Sequence, residues 1–112
     1  MYREPYHFNV SRYIDPQRFA RIRDFAQGLD CPILIIDLDV IKTKYLELQK
    51  SMPLASIYYA VKANPHDEVL RLLHALGSNF DVASVHELRQ LQRLGVEPER
   101  MSYGNTIKKA KD

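Results

Sequence analysis

Residues 57–61 read Ile-Tyr-Tyr-Ala-Val, a short run of apolar, β-branched and aromatic residues from which the fold class can be inferred. Such a run is typical of a strand that is buried in a sheet. Similar runs return at Phe80–Ala83 and Met101–Tyr103, so that the strands begin 23 and then 21 residues apart. A strand–helix–strand repeat of this length pairs its strands in parallel through right-handed crossovers. The sequence therefore predicts an α/β fold.

The segments between these strands have the pattern of helices that pack one face against the sheet. Each has apolar residues at helical spacing and ends at a glycine, Gly77 or Gly95. The second helix opens with Ser84 and Glu87 in the order Ser-x-x-Glu, a capping box whose side chains satisfy backbone N–H groups at the helix start. The apolar faces are Val69, Leu70, Leu73 and Leu76 in the first helix and Leu88, Leu91 and Leu94 in the second.

Upstream of this region the pattern predicts two further helices and one strand. The pair Asp15-Pro16 is typical of a helix start, as an N-cap followed by proline in the first helical position. A second helix is expected to be capped by Asp39 and to run to Lys50. Between the two helices, Ile33–Ile36 is a β-branched apolar run that predicts a buried strand.

Two α/β architectures compete for these units. An open, doubly wound sheet usually has a glycine-rich first turn, which the sequence lacks. A barrel of eight βα units needs ~250 residues, so these units supply less than half of one. We therefore expect residues 1–31 to form a lead-in with one helix. Residues 32–112 are expected to form the first part of a TIM-like (β/α)8 barrel that continues beyond residue 112.

Composition and charge exclude several classes of protein. Hydrophobic residues make up 46% and charged residues 27% of the chain, as in ordinary folded soluble domains. Basic and acidic residues alternate at a net charge of +2, so we expect no nucleic-acid partner. The longest apolar run is far shorter than the ~20 residues of a membrane span. A single cysteine, Cys31, and four scattered histidines predict a cytoplasmic protein without a metal site.

Polar side chains follow each of the three strands, at the edge of the sheet where βα folds place their functional groups. Strand alternation puts Tyr58, Ala60 and Lys62 on one face. A desolvated lysine there has a lowered pKa, and its neutral amine can form a Schiff base with a carbonyl cofactor. From position alone, a surface lysine that reaches solvent is the more common case. The other strand-end residues are Asn64, Asp81, Ser84, Asn105 and Thr106.

The carboxylates near these strand ends allow more than one interpretation. Asp81 can hold a nearby ammonium or act as a turn residue, and Glu87 is already explained by its capping box. The pair Asp37-x-Asp39 follows an apolar run, as in the haloacid-dehalogenase-like phosphatases, where the first aspartate is the nucleophile. Those enzymes usually continue with glycine, whereas Val40 follows here, so this signal is weak.

Three strings carry a resemblance to a known family: Tyr58-Tyr59-Ala60-Val61-Lys62-Ala63-Asn64, Phe80-Asp81-Val82-Ala83-Ser84-Val85-His86-Glu87-Leu88 and Asn105-Thr106-Ile107-Lys108-Lys109. Together they resemble the ornithine/lysine decarboxylases, pyridoxal-phosphate enzymes with an alanine-racemase-like barrel. The resemblance runs from about Pro32 to the end of the chain and covers only the opening part of a family member. The combination of the first two strings at this spacing favours a cofactor lysine over a surface lysine.

The resemblance implies that Lys62 binds pyridoxal phosphate covalently and that Ala60 lines the cofactor pocket. It also implies that Asp81 and Glu87 receive the lysine ammonium after a substrate amine has displaced it. The reaction would be α-decarboxylation of ornithine or lysine to putrescine or cadaverine, in a homodimer. Matching positions near the mouth of the site are Ser84 and Asn105.

Several alternatives stay open. Diaminopimelate decarboxylase has a similar lysine segment, but the run Ala83–Glu87 favours the ornithine/lysine branch. Pro65–Asp67 argues against alanine racemase. A catalytically silent barrel that binds a partner protein is the non-enzyme alternative, although such a protein has no chemical need for Lys62 or Asp81. The family's phosphate loop and C-terminal β-domain lie further along, so we expect the 112 residues alone to be inactive.

Overall fold

The computed structural model describes residues 14–107. They divide into two compact units, one ending at Ile36 and the other beginning at Asp37. The irregular lead-in expected at Met1–Ser11 and the basic pair Lys108-Lys109 lie outside the described residues. The predicted division of the chain after residue 31 remains a prediction.

The first unit contains helix α1, Pro16–Ala26, which begins as the sequence predicts. The Asp15 carboxylate accepts hydrogen bonds from the backbone N–H groups of Gln17 and Arg18, both at 3.0 Å. These groups have no partner within the helix, so the carboxylate satisfies donors that would otherwise need water. Pro16 occupies the first helical turn, where the missing N–H costs nothing.

The strand predicted at Ile33–Ile36 is wrong. This segment lies outside any helix or strand, and the side chain of Leu34 is 86% exposed. A strand needs a neighbour that pairs with its backbone N–H and C=O groups. The strands in the described part of the chain pair only with one another, so the apolar pattern here has no partner strand.

The second unit is a parallel sheet with helices between its strands, which confirms the predicted α/β class. The sheet has the order β1-β2-β3, and both pairings are parallel. Closure into a barrel remains a prediction. The elements are α2 (Leu38–Ser51), β1 (Tyr58–Ala60), a 3-10 turn (Val61–Ala63), α3 (Asp67–Ala75), β2 (Asn79–Val82), α4 (Val85–Arg93), a second 3-10 turn (Pro98–Arg100) and β3 (Met101–Tyr103).

The core lies between the sheet and the helices. Phe80 in the central strand is fully buried, and its ring meets that of Tyr59 edge to face, with 6.5 Å between the ring centroids. Leu70 of α3 and Leu91 of α4 are also fully buried, as their helical spacing predicts. Complete burial of such side chains contributes ~1.5–3 kcal/mol each.

Glycines end α3 and α4 at the predicted positions. Gly77 and Gly95 have φ angles of +91° and +80°, which residues with a Cβ rarely adopt. After α3, the N–H of Gly77 donates to the carbonyl of His74, and the N–H of Ser78 donates to that of Leu73. This pair of bonds is a Schellman motif, and the corresponding pair follows α4.

The cap of α2 differs from the prediction by two residues. Asp37, rather than Asp39, is the N-cap, and its Oδ1 accepts from the N–H groups of Asp39 at 2.9 Å and Val40 at 3.3 Å. Asp39 lies in the first turn, where a carboxylate interacts favourably with the helix dipole. The Asp-x-Asp pair therefore has a structural explanation as a helix start.

Candidate functional site

The carboxyl ends of the three strands place the predicted site residues along one edge of the sheet. Ala60 ends β1 and lies beside Asp81 of β2, which in turn lies beside Ser102 of β3. Lys62 follows Ala60 by two residues, and Ser84 begins α4 two residues after β2 ends. Parallel strands bring their carboxyl ends together in this way, so the sequence correctly predicts that these residues share an edge.

Lys62 does not continue the strand, and this part of the prediction is wrong. The strand ends at Ala60, and Val61–Ala63 form a 3-10 turn in which Val61 is fully buried and Lys62 is exposed. The strict alternation of a strand therefore stops one residue earlier than the sequence indicates. Within residues 14–107 the Lys62 amine has no hydrogen bond or ion pair, which leaves it available to a ligand.

The Asp81 carboxylate lies over the backbone of the residue that follows β3. A Cβ at Gly104 would stand 2.5 Å from Oδ1 and 3.1 Å from Oδ2 of Asp81. The carboxylate occupies this space without a hydrogen bond or ion pair to the described residues. Lys62 and Asp81 are thus at neighbouring strand ends but are not paired in this structure.

Glu87 and Asn105 both bind the backbone of Ala83, one at its N–H and the other at its carbonyl. Glu87 Oε2 accepts from the N–H of Ala83 at 2.8 Å, and Asn105 Nδ2 donates to the carbonyl of Ala83 at 3.1 Å. Ser84 Oγ accepts from the N–H of Glu87 at 3.3 Å, as in the predicted capping box. In a capping box the Glu87 carboxylate would accept from the N–H of Ser84. In this structure it accepts from the N–H of Ala83, one residue earlier. The other end of the Asn105 amide, Oδ1, accepts from Ile107 at 3.3 Å.

Local hydrogen bonds shape the loop between Lys62 and α3. The Tyr59 hydroxyl donates to the carbonyl of Asn64 at 3.3 Å, and Asn64 Oδ1 accepts from the N–H of His66 at 3.1 Å. Burial raises the pKa of the Tyr59 phenol above its ordinary value. The phenol therefore stays protonated and keeps donating at neutral pH.

Two residues at this edge were not predicted from the sequence. Gly104 gives the Asp81 carboxylate its space, and a glycine after a strand is ordinarily taken as a turn residue. Gln90 donates from α4 into the loop after Lys62. The sequence feature that could have identified Gln90 is its position three residues after Glu87, because this spacing puts both side chains on one face of the helix.

The residues present fit a cofactor that carries an aldehyde. The exposed Lys62 amine, which has no partner in the described part of the chain, can condense with such a group, and Asp81 is a carboxylate on the neighbouring strand that can receive the ammonium form. The described residues contain no cluster of histidine, cysteine or carboxylate side chains suited to a metal ion. They also include no helix that is both long and apolar enough for a bilayer span.

The sequence model of the family described as "Pyridoxal-dependent decarboxylase, pyridoxal binding domain" matches residues 38–112. The chain belongs to this family of pyridoxal-dependent decarboxylases. Its cofactor is therefore pyridoxal phosphate, as the resemblance implied, and the predicted relationship to ornithine/lysine decarboxylases is confirmed.

Two curated relatives illustrate the relationship. A lysine/ornithine decarboxylase of Selenomonas ruminantium is 40% identical over 90 residues, which are 80% of this chain and 23% of that protein. A chloroplastic ornithine decarboxylase of Nicotiana glutinosa is 36% identical over 112 residues, covering 93% of this chain and 26% of the relative. The chain thus spans about a quarter of the length of these proteins.

Solved structures agree with this assignment. Lysine decarboxylase from Selenomonas ruminantium has a TM-score of 0.75 at 39% identity, covering 82% of this chain and 25% of that chain. Lysine/ornithine decarboxylase from Vibrio vulnificus, solved with cadaverine, has a TM-score of 0.80 at 29% identity, covering 88% and 27%. The parallel βα units seen here are thus the fold of a known group of decarboxylases.

Proposed function

We propose that the chain is the N-terminal, cofactor-binding part of a pyridoxal-phosphate-dependent decarboxylase that converts ornithine, lysine or both to putrescine or cadaverine for polyamine biosynthesis. The observation that carries the proposal is the position of Lys62 just after β1, beside the strand that holds Asp81, with no hydrogen bond or ion pair from its amine to any of residues 14–107. A homologue solved with cadaverine supports the substrate class. The proposal includes a cytoplasmic homodimer, on the strength of the resemblance.

Lys62 holds the cofactor in this proposal. Its amine is a nucleophile only when neutral. Ala60, which ends β1 two residues before Lys62, is proposed to line the cofactor pocket. Pyridoxal phosphate, when bound, supplies an electron sink for the bond that breaks at the substrate α-carbon.

Asp81 and Glu87 are proposed to receive the lysine ammonium when substrate displaces it. Asp81 is well suited to this role, because its carboxylate has no other partner among the described residues. Glu87 already accepts the Ala83 N–H through Oε2, which uses one of the several lone pairs of its carboxylate and leaves the rest for an ammonium. Ser84 and Asn105 both bind backbone groups, which supports the proposal that they shape the rim of the site.

The test is to map the cofactor lysine in the complete enzyme. Borohydride reduction in the presence of pyridoxal phosphate fixes the cofactor to its lysine, and peptide mass mapping locates the adduct. We expect the adduct on Lys62 and its loss in Lys62→Ala, together with loss of decarboxylation of ornithine and lysine. Lys50→Ala, an exposed lysine in the last turn of α2, is the matched control.

An adduct on another lysine would remove the basis of the site. Competition between ornithine, lysine and diaminopimelate in the same assay establishes the substrate, and preference for diaminopimelate would overturn the proposed substrate class. Light scattering on the holoenzyme gives the oligomeric state. The 112 residues alone are expected to show no turnover with added cofactor.

A further inference from the structure

Gln90 connects α4 to the loop that follows Lys62. Its Nε2 donates to the carbonyl oxygen of Pro65 and to Oδ1 of Asp67, both at 2.7 Å. A backbone carbonyl and a carboxylate are acceptors, so only the NH2 end of the amide can face them. One side chain therefore satisfies two acceptors that precede it in the chain by 25 and 23 residues.

The other hydrogen bonds of this loop are local. Tyr59 binds Asn64 five residues away, Asn64 binds His66 two residues away, and His66 Nδ1 accepts from the N–H of Glu68 two residues away. Such bonds fix the shape of the loop but not its place relative to the next βα unit. Among the side-chain hydrogen bonds of the described residues, those of Gln90 alone join this loop to α4.

The same helix also holds the end of β2. Glu87 lies three residues before Gln90 and accepts from the N–H of Ala83, two residues after Asp81. Residues three apart share one face of a helix. α4 is thus tied through Gln90 to the loop after Lys62 and through Glu87 to the segment after Asp81.

We infer that Gln90 is a positioning residue, which fixes the Lys62 loop against α4 and so sets the place of the Lys62 amine relative to Asp81. This inference rests on the proposed function of Lys62. A neutral hydrogen bond in water contributes little net free energy, but the bond to a carboxylate is among the stronger ones. Loss of both bonds lets the loop move, and the position of the Lys62 amine becomes less defined.

The experiment compares Gln90→Met with Gln92→Met in the complete holoenzyme. Methionine matches glutamine in length and helix propensity but cannot donate. Gln92 is an exposed residue of the same helix, which makes its variant the matched control. The measurements are the dissociation constant for pyridoxal phosphate, the pH at which the visible absorbance of the bound cofactor changes, and the melting temperature.

For Gln90→Met we expect cofactor binding that is about three- to tenfold weaker and a shifted pH dependence of the visible band. Gln90→Glu puts a carboxylate against the Asp67 carboxylate and is expected to have the larger effect. Gln92→Met is expected to match the wild type in both measurements. A purely stabilising role for Gln90 would lower the melting temperature without moving the pH dependence.

Two failures are distinguishable. If Gln90→Met matches the wild type in cofactor affinity and in pH dependence, the inference is wrong while the proposed function stands. If the wild type forms no adduct at Lys62, the proposed function itself is wrong. If Gln90→Met yields no folded holoenzyme, Gln90→Asn decides the matter, since it keeps a polar amide but is one methylene too short to reach both acceptors, and an unchanged pH dependence there contradicts the inference.

Discussion

The carboxylate of Asp81 lies only 2.5 Å from the point that the Cβ of any residue other than glycine would occupy at Gly104. Contacts as short as 2.5 Å are not sustained, so a side chain at residue 104 would displace the carboxylate. Asp81 belongs to β2 and Gly104 follows β3. The orientation of one candidate site residue therefore depends on the absence of a side chain on the neighbouring strand end.

Gly104→Ala is expected to turn the Asp81 carboxylate away while changing the free energy of unfolding by less than ~1 kcal/mol. Gly104 does not have a positive φ, so alanine fits its backbone. A double-mutant cycle with Asp81→Ala, read as the affinity of the holoenzyme for pyridoxal phosphate, measures the coupling. Equal effects of Gly104→Ala with and without the Asp81 carboxylate would show that the two residues are independent.

Gly77→Ala is expected to destabilise the protein by ~1–2 kcal/mol, because alanine must adopt a left-handed backbone at the end of α3. Gly28→Ala is the control, since its φ is not positive and no atom lies within 4 Å of the added Cβ. Chemical denaturation of the complete protein measures both changes. A loss at Gly28 as large as that at Gly77 would contradict the backbone explanation.

Glu87→Gln separates the structural and chemical roles of this residue. The amide carbonyl of the variant can still accept from the N–H of Ala83, so stability is expected to be kept to within ~1 kcal/mol. Glu87→Ala loses that acceptor and is expected to cost ~0.5–2 kcal/mol. If Glu87 also receives the Lys62 ammonium, a neutral amide cannot replace the carboxylate charge, and turnover of Glu87→Gln falls at unchanged melting temperature. Full activity of Glu87→Gln would leave the residue with its capping role only.

Tyr59→Phe is expected to alter how stability depends on pH above neutrality. Burial raises the pKa of the folded-state phenol above its value of 10.0, so the unfolded chain loses this proton first. The unfolded state then binds fewer protons than the folded state, and the free energy of unfolding falls as pH rises from about 10 until it passes the folded-state pKa.

The phenylalanine variant lacks this loss of stability in alkali, although it is less stable at pH 7 by ~0.5–1.5 kcal/mol for the missing bond to Asn64. Denaturation curves between pH 7 and alkaline pH should therefore show the two proteins converging. Tyr58→Phe is the control, because Tyr58 is 49% exposed. Parallel curves for the wild type and Tyr59→Phe would show that the phenol does not titrate differently on folding.

Local signals predicted much of the second unit. Residue spacing gave the parallel order of the strands, and Gly77 and Gly95 marked where α3 and α4 end, because these features depend on backbone conformation within a few residues. The cap of α2 was assigned to Asp39 because two aspartates stand close together and either can cap a helix. The prediction of a strand at Ile33–Ile36 was wrong, since strand formation needs a second strand to pair with, and an apolar run does not specify one.

The sequence predicted which residues lie at the site better than it predicted the contacts that they make. Strand ends located Lys62, Asp81 and Asn105 correctly at one edge, because topology alone brings them there. The 3-10 turn at Lys62 and the position of the Asp81 carboxylate beside Gly104 depend on packing across strands. Sequence periodicity carries no information about such contacts.

Both ladders of the sheet join residues that are 21 positions apart, Tyr58 with Asn79 and Phe80 with Met101. Closing loops of equal length costs about the same chain entropy at each step. A new strand can dock as soon as the helix before it has formed. The sheet is therefore suited to growth by one βα unit at a time while the ribosome is still extending the chain.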